Sequence, residues 1–150
     1  MTMTMPDPAE VLPHRPPFLF VDEVVSLEPG VRGVGRWHLR GDEWFFPGHF
    51  PGRPTLPGVL MCEAIAQMGA IAVLTDERFA GRLPLFGGLD SARFRRQVSP
   101  GDTLELHVEL GRMSSRAGKG TGRAVLLAAP DGTADVTACE CELMFVLVDR

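Results

Sequence analysis

From Leu56 to Leu74 the chain reads L-P-G-V-L-M-C-E-A-I-A-Q-M-G-A-I-A-V-L, a run of apolar or small residues in which Glu63 is the one carboxylate. Pro57 and Gly58 stand where such a run would enter a helix. A helix that is apolar on every face must be enclosed, either by the rest of a domain or by lipid. A stretch of ~18 apolar residues can begin to span a bilayer, but Glu63, Gln67 and the amphipathic segments around it favour enclosure by protein. Just before it, His49 lies among Pro47, Gly48, Pro51, Gly52 and Pro54, too many breakers for regular structure. The expectation is a stiff loop that presents an imidazole, followed by a buried helix that carries a carboxylate.

What encloses the helix is legible in the rest of the chain. After a short helix or turn at Ala9 to Leu12, β-rich segments are expected at Phe18 to Leu27, Val31 to Leu39, Leu83 to Val98, Thr103 to Leu110, Arg123 to Ala129 and Ala134 to Val148. Pro29-Gly30, Pro100-Gly101-Asp102, Ser114 to Gly122 and Pro130-Asp131-Gly132 separate strands, and Thr75 to Gly81 is a polar connection. Leu104, Leu106, Val108 and Leu110 alternate cleanly. One long apolar helix among several strands implies an α+β fold, with a sheet curled round the helix. Gly30, Gly33 and Gly35 lack the spacing and setting of a dinucleotide loop and read as a bent, closely packed strand. Gly118-Lys119-Gly120 lacks the flanking residues of a P-loop and reads as a mobile hairpin turn.

Composition narrows the class. At 150 residues and 45% hydrophobic content, one domain over residues 9–150 is expected, behind a disordered tail of residues 1–8 with neither a basic nor an apolar signal region. Cys62, Cys139 and Cys141 are an odd set with no secretion signal, which fits small buried hydrophobes in a reducing cytoplasm. Cys139 and Cys141 would face one side of a strand. A net charge of -4 speaks against nucleic-acid binding. No pair among His14, His38, His49 and His107 has metal-ligand spacing, so neither metal nor cofactor is expected. His14, beside Arg15, is read as tying the N-terminal segment to the loop.

Three stretches carry a resemblance: G-H-F-P-G-R-P-T-L-P-G-V-L-M-C-E-A-I-A-Q at Gly48 to Gln67, L-P-H-R-P-P-F-L-F-V-D at Leu12 to Asp22, and F-G-G-L-D-S-A-R-F-R-R-Q-V-S-P-G-D at Phe86 to Asp102. They resemble the 3-hydroxyacyl-[acyl-carrier-protein] dehydratases of the FabZ type. The resemblance implies the hotdog fold, in which an antiparallel sheet wraps round one long central helix. It implies conversion of a carrier-bound 3-hydroxyacyl thioester to the trans-2-enoyl thioester in fatty acid or polyketide-like synthesis. It also implies an assembly, a homodimer or a trimer of dimers, in which the histidine of one subunit meets the helix glutamate of its neighbour. Relatives that also isomerise the double bond usually carry aspartate at the helix position, so Glu63 favours dehydration alone.

That reaction needs a base for the α-proton and an acid for a poor leaving group. His49 suits the first role, because imidazole titrates near neutrality. Glu63 suits the second, because a carboxyl in apolar surroundings stays protonated to higher pH. Gln67, at i+4, can orient Glu63. Negative charge developing on the thioester oxygen would meet the helix start, where Gly58 and Val59 offer free N–H groups and Gly58 allows close approach. Relatives often place a tyrosine just before the position of Phe86, lining or gating the tunnel; here that position is Leu85, and the chain has no tyrosine. Pro16 likewise stands where relatives often have an aromatic. Arg93, Arg95 and Arg96 form the densest basic cluster and are the expected docking surface for an acidic acyl carrier protein, with Arg93 and Arg95 on one strand face and Arg96 on the other. Two other readings are a hotdog thioesterase and a non-catalytic acyl-binding partner subunit; the intact His49 and Glu63 stand against the second.

Overall fold

The computed structural model describes residues 4–127 and 134–150. The elements run α1 (Pro8–Val11), β1 (Glu23–Glu28), β2 (Arg32–His38), α2 (Gly58–Leu74), a 3-10 turn (Glu77–Phe79), β3 (Arg82–Phe94), β4 (Thr103–Met113), β5 (Ala117–Leu126) and β6 (Val136–Asp149). The strands pair antiparallel in the order β1-β2-β4-β5-β6-β3. Helix α2 packs against five of them, β2 to β6. This is the hotdog arrangement expected from the sequence.

The curl of the sheet explains the composition of α2. From Met61 to Val73 every residue is buried except Glu63. Leu104, Leu106 and Val108 of β4 point inward onto the helix as their alternation requires, and so do Cys139, Cys141, Leu143 and Phe145 of β6. Cys62 Sγ comes 3.9 Å from Cys139 Sγ, and all three cysteines are free thiols in the core. The close approach of α2 to β2 depends on two glycines. A β-carbon on Gly33 would lie 2.6 Å from Met68 Cε, and one on Gly35 would lie 2.7 Å from Met68 Sδ and 2.9 Å from Glu23 O. Gly33 and Gly35 are therefore packing residues, as read.

Several boundaries differ from the sequence reading. Strand β1 starts at Glu23, because the backbone of Phe18 and Phe20 is spent on the Gln67 side chain while Phe20 stacks on Trp37 with centroids 4.7 Å apart. Gly118-Lys119-Gly120 is not a turn: it lies inside β5, paired with Phe145, Met144 and Leu143 of β6. The reversal is shorter and earlier, with Ser114 N–H donating to Ala117 O at 2.8 Å. Strand β3 ends at Phe94, four residues before the expected Val98. A 3-10 turn capped by Asp76 occupies the expected polar connection. At the N-terminus Met5 packs against the core, Asp7 caps α1 and Pro8 is buried, so packing begins ahead of residue 9. The expected turn at Pro130-Asp131-Gly132 and the first three residues lie outside the described residues. Among the described residues, no helix is long and apolar enough to cross a membrane.

Gly35→Ala is expected to destabilise the fold by about 1–3 kcal/mol, because the obstructing Glu23 oxygen belongs to a backbone that cannot swing aside. Gly33→Ala should cost less, since Met68 Cε is the end of a flexible side chain. Equilibrium unfolding in urea of both variants, at one protein concentration, checks the order.

Candidate active site

The loop before α2 holds His49 by its backbone and by its ring. Thr55 N–H donates to His49 O at 2.8 Å, and Phe50 and Arg53 exchange N–H to carbonyl bonds at 3.0 and 2.9 Å. His49 Nδ1 lies 2.8 Å from Thr55 O. A carbonyl oxygen only accepts, so Nδ1 carries the hydrogen, and in the neutral ring Nε2 is left with its lone pair. The ring of Phe50 stacks on the imidazole with centroids 4.0 Å apart, which limits its rotation.

Helix α2 opens beside this loop. Pro57 supplies no side-chain cap, and among the described residues neither Gly58 N–H nor Val59 N–H has an acceptor. These are the free donors of a helix start, at its positive dipole end. A cavity of about 530 Å³ gathers His49, Gly58, Val59, Phe94, Arg95 and Arg96. The absent side chain of Gly58 has a different neighbour from the expected acyl carbonyl: a β-carbon there would lie 2.8 Å from Phe94 Cδ1. Glycine is needed at this position so that the Phe94 ring can lie against the helix.

Glu63 is elsewhere. It follows Gly58 by five residues, about 140° round and about 7.5 Å along an ideal helix, and it meets Gln67 and His14. Gln67 Nε2 donates to Glu63 Oε1 at 3.1 Å and to Phe18 O at 3.0 Å, while Gln67 Oε1 accepts from Phe20 N–H at 2.8 Å. With 1% exposure, Gln67 is the buried polar side chain of the core. Burial pushes the Glu63 carboxyl above the ordinary carboxylate range, and the Gln67 hydrogen bond pulls it partly back. His14 Nε2 stands 3.7 Å from Glu63 Oε1. The sequence reading missed this contact; the P-H-R run ahead of the first strand was its only signal. Within the chain, no hydrogen bond or ion pair joins His49 to Glu63. The candidate residues therefore fall into two separate groups, His49 with the helix start and Glu63 with Gln67 and His14.

The remaining candidate residues separate as well. Leu85 and Phe86, expected to line or gate a tunnel, sit on β3, an edge strand of the sheet, 46% and 41% exposed, and do not line the His49 cavity. The aromatic that does line it is Phe94. The expected alternation of the three arginines fails beyond Arg93, because β3 ends at Phe94. Arg95 and Arg96 N–H both donate to Ala138 O, at 2.7 and 3.3 Å, and both residues reach the cavity. Arg95 is engaged with Glu140, its Nε 3.0 Å from Oε1. Arg93 is exposed and donates to Ala92 O, and Arg96 has no carboxylate partner among the described residues. No group of three or more His, Cys, Asp or Glu side chains among the described residues is placed to hold a metal ion.

The sequence model of the FabA-like domain matches residues 12–139. A 3-hydroxyacyl-[acyl-carrier-protein] dehydratase FabZ of Moorella thermoacetica is 50% identical over 140 residues, 93% of each chain. The protein of the same name from Chloroflexus aggregans is 52% identical over 139 residues, 93% of this chain and 92% of that protein. Among solved structures, a dehydratase heterocomplex from Xenorhabdus doucetiae has a TM-score of 0.80 at 16% identity, covering 98% of this chain and 94% of that one. An acyl-CoA hydrolase of Staphylococcus aureus has a TM-score of 0.60 at 17% identity, covering 79% and 65%; these structural likenesses speak for the fold. With its residues 12–139 matched as a FabA-like domain and about half of its positions identical to FabZ dehydratases along nearly its whole length, this chain belongs to the FabA-like family.

Proposed function

We propose that His49 of one copy and Glu63 of another are the base and acid with which this chain works as a 3-hydroxyacyl-[acyl-carrier-protein] dehydratase, a hydro-lyase of fatty acid biosynthesis. The observation that carries the roles is the hydrogen on His49 Nδ1, fixed by Thr55 O, which leaves Nε2 free to take a proton. His49 Nε2 takes the α-proton, and the electron pair of the broken C–H bond delocalises onto the thioester oxygen, within reach of Gly58 and Val59 N–H. As the carbon–carbon double bond forms, the bond from C3 to its hydroxyl breaks, and Glu63 supplies the proton that turns the departing hydroxide into water. The product is the trans-2-enoyl thioester, without isomerisation. The thioesterase alternative rests on the shared fold alone.

The separation of His49 from Glu63 supports a shared site. Strand β3 leaves Leu85, Phe86, Leu89 and Phe94 exposed on an edge of the sheet, an apolar row that a second copy would cover. In this reading the chain is one domain, working in the cytoplasm as a homodimer or a trimer of dimers. The acyl carrier protein would dock beside the cavity, meeting Arg96 at its lining and exposed Arg93 on β3, while Arg95 serves Glu140. Leu85 and Phe86 would then act at the interface between copies, and any gating aromatic on the His49 side would be Phe94.

His49→Ala and Glu63→Ala are each expected to lower kcat by about 10²–10⁴, and Glu63→Gln nearly as much, because an amide cannot donate an acidic proton. Mixing the two inactive alanine variants under conditions that allow subunit exchange should restore part of the activity. No recovery despite proven exchange would show that each subunit builds its own site.

Burial of Glu63 also sets a pH dependence of stability. Its folded-state affinity for a proton is raised, so it contributes stability that is fully present below the ordinary glutamate range and is lost as pH rises through the folded value. Glu63→Gln should therefore gain thermal stability over the wild type as pH rises from about 4 to about 8, from the ordinary glutamate range into the region above it. Melting curves across the window check the sign.

For docking, replacing Arg93 and Arg96 with glutamate should raise KM for carrier-bound substrate and leave turnover of a small soluble thioester unchanged. Equal losses on both substrates would assign these arginines to folding or to the cavity itself.

A further inference from the structure

We propose that His14 is a positioning residue for Glu63, fixing Oε1 as the accepting oxygen so that Oε2 carries the proton delivered to the leaving hydroxyl. The proposal rests on the reading of Glu63 as the acid. A carboxylic acid donates from one oxygen and accepts on the other, and which oxygen does which is set by its neighbours. Here both neighbours are on the same side. Gln67 Nε2 donates to Oε1 at 3.1 Å, and His14 Nε2 approaches Oε1 at 3.7 Å, whereas Oε2 has no partner among the described residues. Donors on Oε1 leave Oε2 as the oxygen that holds the acidic hydrogen.

The hydrogen on His14 can be assigned from the same geometry. Its Nδ1 is buried without a partner among the described residues, and an N–H there would be an unsatisfied donor. With the hydrogen on Nε2, His14 adds to the polarity that Gln67 already imposes on Oε1. Burial holds the imidazole below its ordinary range, which keeps the ring neutral, a donor on one side only. The distance of 3.7 Å is longer than a hydrogen bond; the positioning role requires it to shorten when substrate binds, as active-site hydrogen bonds that are long in a free enzyme often do. The segment is also anchored to deliver the ring. Leu12 is buried in the core, Arg15 Nη1 donates to Leu12 O at 2.9 Å and to His14 O at 2.6 Å, and Phe18 O is held by the same Gln67 that holds Glu63. Gln67 thus couples the position of the His14 segment to that of the acid.

The test compares His14→Gln, whose amide can donate from near the Nε2 position, with His14→Asn, whose amide sits near Nδ1. Turnover of a small soluble 3-hydroxyacyl thioester is measured with thermal unfolding and oligomeric state. Glutamine is expected to keep kcat within about threefold of wild type and asparagine to lower it about tenfold or more, with KM changed less than about twofold in both. Equal kcat in the two variants, or a loss confined to KM, would overturn the proposal. Should asparagine disturb folding, His14→Phe gives the same comparison, since it keeps the ring volume and removes every N–H; full turnover in it would also overturn the proposal. Glu63→Gln is measured alongside. Wild-type turnover in Glu63→Gln would remove the acid assignment and the proposal with it, whereas an inactive Glu63→Gln beside a fully active His14→Asn removes the role of His14 alone.

Discussion

The enclosure of α2 on nearly every side governs the rest of the molecule. A helix inside a curled sheet must be apolar all round, and its polar exceptions must be satisfied within the core. Gln67 meets that demand with three hydrogen bonds, to Phe18 O, Phe20 N–H and Glu63 Oε1. These bonds fasten the segment before β1 to the helix, which is why Phe18 and Phe20 stay out of the sheet. They also give a carboxyl on a buried helix its one firm neighbour. Packing and chemistry share the same amide.

Burial then works in two directions at Glu63. It raises the energy of the ionised form, which destabilises the fold wherever that carboxyl must be charged, and it favours the protonated form that the proposed acid needs. His49 shows the opposite design. It stands on a loop outside the sheet, and its geometry comes from a backbone carbonyl and a stacked phenyl ring. The proposed base is held by a turn and the proposed acid by the core, so the two can come from different copies of the chain without either losing its support.

The start of α2 has a similar economy. Pro57 leaves the first N–H groups of the helix without a side-chain cap, which costs stability in an isolated helix and leaves donors free beside the cavity. Phe94 covers that start because Gly58 has no side chain in the way. Strand β3 ends there, and two successive N–H groups converge on Ala138 O, bringing Arg95 and Arg96 to the same cavity.

The sequence by itself determined the enclosed helix, the sheet around it, and the amide between Glu63 and the core, and it supplied the candidate acid and base. A run such as Leu56 to Leu74 can only be buried, and a carboxylate with an amide one turn further on is a local, helical relation that spacing expresses directly. The close packing of Gly33 and Gly35 was legible for the same reason, since glycines in a strand beside an apolar helix mark an approach too close for a β-carbon. Only the tertiary structure decided that His14 reaches Glu63, that Phe94 lies on Gly58, that Gly118 to Gly120 continue a strand, and that Arg95 and Arg96 face one cavity. Each of these depends on where two segments distant in sequence meet, or on where a strand stops. Periodicity carries no information about either: the pairing of β5 with β6 kept a glycine-rich stretch extended, and the end of β3 cancelled an alternation that its residues would otherwise have followed.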